Sequence, residues 1–177
     1  MKIALVKEYN PDWPKWFETI RSFLEPALTG VPHTVEHVGS TSIPGMVAKP
    51  IIDIIVVVEK RALAVVQDRL ASIGYIHEGN LGIQDREAFD LRDTAARETL
   101  PSHHLYVAMT GSQALRDHLA FRDFMKTHPE WVTRLSMHKK ALCAKYNNDR
   151  EAYTNGKAEL VREITMIALK EVPNLRL

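Results

Sequence analysis

The sequence predicts an α+β protein, with a small mixed sheet in about residues 1–110 and a helical half in about 111–177. Three observations lead there. The run Pro50 to Val58 has the length of a strand and carries β-branched residues on both faces, as a strand covered on both sides requires. Around it, stretches of strand and helix periodicity alternate up to Met109. From Ser112 onward the apolar residues recur only at helical spacings. A chain of 177 residues has the length of one domain, so a single unit with two lobes is expected over 1–177.

The elements follow in order. Asn10-Pro11-Asp12 supplies cap and first-turn chemistry for a helix on which Trp13, Trp16, Phe17, Ile20, Phe23 and Leu24 recur. Pro26 ends or kinks it. A short strand over 34–38 leads into a loop of small and hydroxyl residues from Gly39 to Gly45. After the central strand, Leu63, Val66, Leu70 and Ile73 mark an amphipathic helix that Gly74 can close. Two more strands are expected near 88–91 and 103–109. Pro129 and Asp149 stand near helix starts in the last third. Trp13, Trp16 and Trp131 lie on apolar helix faces and read as core.

Composition narrows the function classes. Lys and Arg number 23 against 22 Asp and Glu, a net charge of +1, so no field exists to hold a long nucleic acid. Cys143, the single cysteine, excludes an intramolecular disulfide and a cysteine-cage zinc site, and reads as a small buried thiol. The longest apolar run, Ile51 to Val58, is interrupted by Asp53 and falls far short of a membrane span. The first eight residues hold too short an apolar run for a signal peptide, and a cytoplasmic location is expected.

The chemistry concentrates between His37 and Asp53. Gly39-Ser40-Thr41-Ser42 leaves a strand without bulky side chains, so backbone N–H groups and hydroxyls can approach a ligand, and phosphate is the usual guest. It is not a Walker A loop, and an ordinary turn with a hydroxyl cap would read the same way. Asp53 is a carboxylate within an apolar strand, costly unless it is paired, binds a metal or reaches a cleft. Beside the loop it would set a Mg²⁺ ligand against phosphates. Pairing with Lys49 or Arg86, or a bond to a helix N-terminus, is the alternative.

Glycine-serine followed by a strand aspartate resembles the signature of the polymerase-β-like nucleotidyltransferases. The segment from His37-Val-Gly-Ser-Thr-Ser-Ile-Pro-Gly through Lys49-Pro-Ile-Ile-Asp53 is similar, more closely, to the GrpB family of that superfamily. The likeness runs on through Tyr9-Asn10-Pro11-Asp12-Trp13, Gly82-Ile83, His103-His104-Leu105, Phe121-Arg122-Asp123-Phe124, His128-Pro129-Glu130 and Asp149-Arg150-Glu151-Ala152-Tyr153 with Lys157. It implies a nucleotidyltransferase-like fold and metal-dependent transfer of a nucleotidyl group from a nucleoside triphosphate to a small acceptor. Relatives fused to dephospho-CoA kinase imply an alternative, a nucleotide-binding accessory module linked to coenzyme A metabolism. The chain departs from the pattern at Ile55, where active superfamily members carry a second carboxylate, at Tyr106 in place of a third histidine, and at Gln84-Asp85 in place of proline-glycine.

The expected roles are these. Gly39, Ser40, Thr41 and Ser42 cradle phosphate, with Lys49 and Arg86 offsetting its charge and Arg122 a further cation nearby. Asp53 binds Mg²⁺. His104 shares a strand face with Tyr106, opposite His103, and serves as metal ligand or general base if that face meets Asp53. Glu87, Asp90 or Asp93 could supply a third ligand in the place left by Ile55, and Asp90 fits the alternation best. A solvated histidine pair and surface cations are the plainer readings of the same residues.

Overall fold

The structure, a computed structural model, describes residues 5–171. Five strands form one sheet: β1 (His33–Val38), β2 (Ile52–Val58), β3 (Tyr75–Gly79), β4 (Arg86–Leu91) and β5 (His103–Met109), in the order β1-β2-β5-β4-β3. Only β2 and β5 run parallel, and the other neighbours are antiparallel, so the sheet is mixed as expected. The helices are α1 (Trp13–Leu24), α2 (Leu63–Ser72), α3 (Thr94–Thr99), α4 (Gln113–Thr127), α5 (Pro129–Lys145) and α6 (Arg150–Glu171). Among them no helix is long and apolar enough to cross a membrane.

Alternation along the central strands explains the layers. Ile52, Ile54, Val56 and Val58 of β2, with Leu105 and Val107 of β5, pack against α1 and α2. The opposite face sets Val38, Ile55 and Ala108 against Leu115 and Leu119 of α4. The helical half has a core of its own, in which Phe124, Leu135 and Ile164 come from α4, α5 and α6. Ile43 and Met46, from the loop after β1, insert into that helical core. The loop is therefore anchored in the lobe that faces the sheet.

The sequence expectations meet some differences. Asp12 makes no cap bond to α1 and pairs instead with Lys15, while Asn10 Oδ1 accepts from the Asp12 N–H. β3 and α3 are additional elements. β3 is an edge strand that buries only Tyr75 fully, so it lacks the alternation that reveals a strand. α3 has no fully buried residue, only Ala96 packing partly against the core, and is held by its cap, Asp93 Oδ1 accepting from Ala96 N at 2.7 Å. Arg86, expected in a connection, is the buried first residue of β4.

Candidate functional site

Strand register builds the centre of the site. The β2–β5 pairing sets Asp53 opposite His104, and the β1–β2 pairing sets Val38 opposite Asp53. Next to Val38 the chain turns at Gly39, whose φ of 70° suits glycine. The backbone there passes so close over Asp53 that a Cβ would collide with Oδ2. His104 Nδ1 donates to Asp53 Oδ1 at 2.9 Å, which leaves Nε2 of a neutral ring as the lone-pair nitrogen. Asp53 thus meets the cost of its apolar strand by reaching a cleft, and its partner is His104 rather than Lys49 or Arg86.

The three loop hydroxyls have separate fates. Ser40–Ser42 forms a single 3₁₀ turn. Ser40 faces the cleft and accepts a hydrogen bond from Lys139 Nζ at 2.7 Å. Thr41 is buried against His37, 3.0 Å from Nε2, yet also borders the cleft. Ser42 turns inward and donates to the Gly39 carbonyl at 2.7 Å.

Cations crowd the rest of the cleft. Lys139 is only 1% exposed and also donates to the Val47 carbonyl at 2.9 Å. Burial, with the nearby charge of Lys157, lowers its pKa to about 7 against the opposing pull of Asp53. Lys49 and Lys157 both lie over the buried ring of Tyr153, at 4.7 and 5.4 Å from its centroid. Burial lowers both pKa values, and in Lys49 the neighbouring charges of Lys157 and Arg150 push the same way. Among the described residues, none of Lys49, Lys139 and Lys157 has a carboxylate within salt-bridge distance. Asp53 is the negative charge that all three feel.

Two cavities, of about 430 and 500 Å³, open from this centre. They share Ser40, Asp53, Tyr106, Lys139, Thr154 and Lys157. Lys49, Thr41, His104, Arg150 and Tyr153 border the first only, while Gly39 borders the second.

Of the expected site residues, Gly39, Ser40, Thr41, Lys49, Asp53 and His104 are brought together, and Ser42, Arg86 and Asp90 are not in these walls. Arg86 lies with its guanidinium 4.3 Å from the centroid of Tyr106, a ring that borders both cavities while Arg86 borders neither. Asp90 pairs with Arg92 and lines a separate hollow with His103 and His104. Arg122 is spent on Glu36 at 2.6 Å and Asp123 at 2.7 Å, tying α4 to β1.

The donor set bears directly on the expected metal. Among the described residues no three His, Cys, Asp or Glu side chains come together as a metal site. Asp53 and His104 are two donors already bonded to each other, in a cleft rich in ammonium groups. These residues do not fit a resident divalent ion.

Sequence reading missed Lys139, Tyr153 and His118 as cleft residues. For Lys139 a signal existed: it shares a buried α5 stripe with Leu135, Ser136, Leu142 and Cys143. A lysine in an apolar helical stripe requires a polar partner, as Ser40 proves to be.

Fold and site together define a class: an α+β protein with a five-stranded mixed sheet, whose cationic cleft centres on one aspartate–histidine pair. The chain belongs to the GrpB family, whose profile, described as GrpB protein, matches residues 3–166. It is 33% identical over 163 residues to the glutamate-rich protein GrpB of Alkalihalophilus pseudofirmus, covering 91% of this chain and 93% of that one. It is 30% identical over 155 residues to UPF0157 protein YqkA of Bacillus subtilis, covering 87% of this chain but only 44% of that longer protein. The crystal structure of conserved protein GrpB from Enterococcus faecalis superposes with a TM-score of 0.82 at 30% identity, over 96% of this chain and 99% of that one.

Proposed function

We propose that the cleft binds a nucleoside triphosphate by its phosphates and transfers the nucleotidyl group to a small hydroxyl-bearing acceptor. The observation that carries this reading is the gathering of Lys49, Lys139 and Lys157, without carboxylate partners, around the Gly39–Ser40 turn and the Asp53–His104 pair. Such a cleft requires an anion of several charges, and a polyphosphate supplies them. The resemblance in the glycine-serine loop and the strand aspartate supports the nucleotide in particular.

The chemistry assigns roles to groups already in place. His104 Nε2 takes the proton of the acceptor hydroxyl, and Asp53 steadies the imidazolium that results. The acceptor oxygen bonds to the α-phosphorus as the bond to the bridging oxygen breaks, and pyrophosphate leaves. Lys49 and Lys157 offset the charge that moves onto it. Magnesium, which the family resemblance implies, would come as the counter-ion of the triphosphate.

Binding without turnover is the second reading, and Ile55 favours it. The position where a second carboxylate would stand is fully buried among Val38, Ala108 and Leu115. One experiment separates the two. Calorimetry with ATP, with and without Mg²⁺, is paired with an assay of pyrophosphate release over a panel of small alcohols. Binding with acceptor-dependent release supports transfer, binding alone supports the accessory role, and no binding of any triphosphate overturns both.

A further inference from the structure

The two cavities share a wall yet differ in chemistry. The first has Lys49 and Arg150 to itself, while Lys139 and Lys157 stand in the shared wall. The second, about 500 Å³, runs from Asp53 between β5 and the helices α4 and α6. Beyond the shared residues its surface is mostly apolar, contributed by Ile83, Phe121, Ala158 and Val161 together with the ring of His118. Its remaining charged groups, Asp117 and Arg162, stand opposite in sign. The rings of Tyr106 and His118, both in its lining, lie within 24° of parallel with centroids 6.5 Å apart and offer aromatic surface to a ligand. Burial lowers the pKa of His118, which favours its uncharged ring.

Beyond the shared wall a polyphosphate is poorly served, because its charges would lose water and gain apolar surface. An uncharged body with a flat face would fill it, and a volume of this size suits a small organic molecule. Its position also matters. Transfer needs its second substrate on the side of the reacting phosphorus away from the leaving group. With phosphates in the cationic cavity, the second chamber is the space that adjoins them, and Asp53 lines both.

We propose that the second chamber is the acceptor site and selects an uncharged small molecule with an apolar, planar body, its hydroxyl end reaching past Asp53 into the first cavity, which His104 borders. The word acceptor rests on the transfer reading above; the class of ligand rests on the chamber. Saturation-transfer NMR tests it with 3-phenylpropanol and its charged counterpart 3-phenylpropanoate, on the wild type, Ala158→Trp, Val161→Asp and Lys49→Ala. Ala158 is exposed on α6, so a tryptophan there fills the chamber without entering a core, and thermal melts check each variant.

The alcohol is expected to bind the wild type and Lys49→Ala alike, and about tenfold or more weakly to Ala158→Trp and Val161→Asp. The carboxylate should bind markedly less well than the alcohol to all four. ATP, followed by calorimetry, should show the reverse sensitivity, weakened by Lys49→Ala and unaffected by Ala158→Trp. Alcohol binding that ignores both chamber variants, or a carboxylate that binds as well as the alcohol, overturns the proposal. Failure of ATP to bind any variant sinks the transfer reading, while chamber-dependent alcohol binding still upholds the class of ligand.

Discussion

Gly39 and Asp53 are fitted so closely that position 39 has room only for hydrogen. Its φ of 70° and ψ of −170° lie in a region essentially reserved for glycine. Gly39→Ala therefore adds backbone strain of about 1–3 kcal/mol to a collision with the carboxylate. Denaturant unfolding should show that loss, and calorimetry should show weakened ATP binding. Gly30→Ala is the control, because Gly30 also has positive φ but nothing stands within 4 Å of its added Cβ. It should cost about 1 kcal/mol and leave binding unchanged.

Removing one charge from the central pair should separate binding from chemistry. Asp53 and His104 are 30% and 43% exposed, so neither Asp53→Asn nor His104→Ala should unfold the protein. Pyrophosphate release should fall by about 10²–10³ in each. In the presence of a chelator, Asp53→Asn should bind ATP as tightly as the wild type or more so, since an anion is gone from an anion-binding cleft. Equal release rates in wild type and His104→Ala would remove the general-base role.

Lys139 gives the protein a pH signature. An unfolded lysine keeps its proton up to about 10, while in the folded chain burial brings the pKa down to about 7. Between those values the folded state binds fewer protons, so stability rises with pH there, by at most about 1.4 kcal/mol per pH unit. Below about pH 7 both states are protonated and the penalty of the buried ammonium is complete. Unfolding free energies measured from pH 6 to 9 should show this rise in the wild type and a flatter profile in Lys139→Met.

The two lysines that share the Tyr153 ring should act as separate phosphate contacts. Lys49→Ala and Lys157→Ala are each expected to weaken ATP binding about tenfold. Each should also make affinity less sensitive to salt, since fewer charge contacts remain to be screened. Titrations at several ionic strengths would show it.

Arg122 is expected to matter to the fold and not to the ligand. Arg122→Met would leave Glu36 and Asp123 without their partner in a partly buried setting, at a cost of about 2 kcal/mol. ATP affinity should stay at the wild-type value. A large loss of affinity with unchanged stability would place Arg122 in the site instead.

Much of the fold was legible because its strongest signals are local. The β-branched run of β2, the spacing along α1 and the alternation of His103 to Met109 each declare their own structure. β3 and α3 were not, since one lies at the sheet edge and is fixed by its neighbours, while the other has no fully buried residue to mark a helical face. In the site, the alternation put His104 and Tyr106 on one face, and the parallel register carried that face to Asp53. Lys139 had its stripe as a signal, but its partner was hidden. The lysine lies 99 residues from Ser40 in the chain, and spacing alone cannot announce so distant a contact.

The parallel pairing of β2 with β5 has a consequence for the growing polypeptide. Asp53 leaves the ribosome 51 residues ahead of the histidine that holds it, and Lys139 and Lys157 are made later still. A nascent chain that ends before residue 104 carries the carboxylate with no imidazole, and one that ends before 139 has the turn at Ser40 with no ammonium behind it. The cleft is complete only once the chain has grown past Lys157, so a translation product that stops short of it lacks part of both cavity walls.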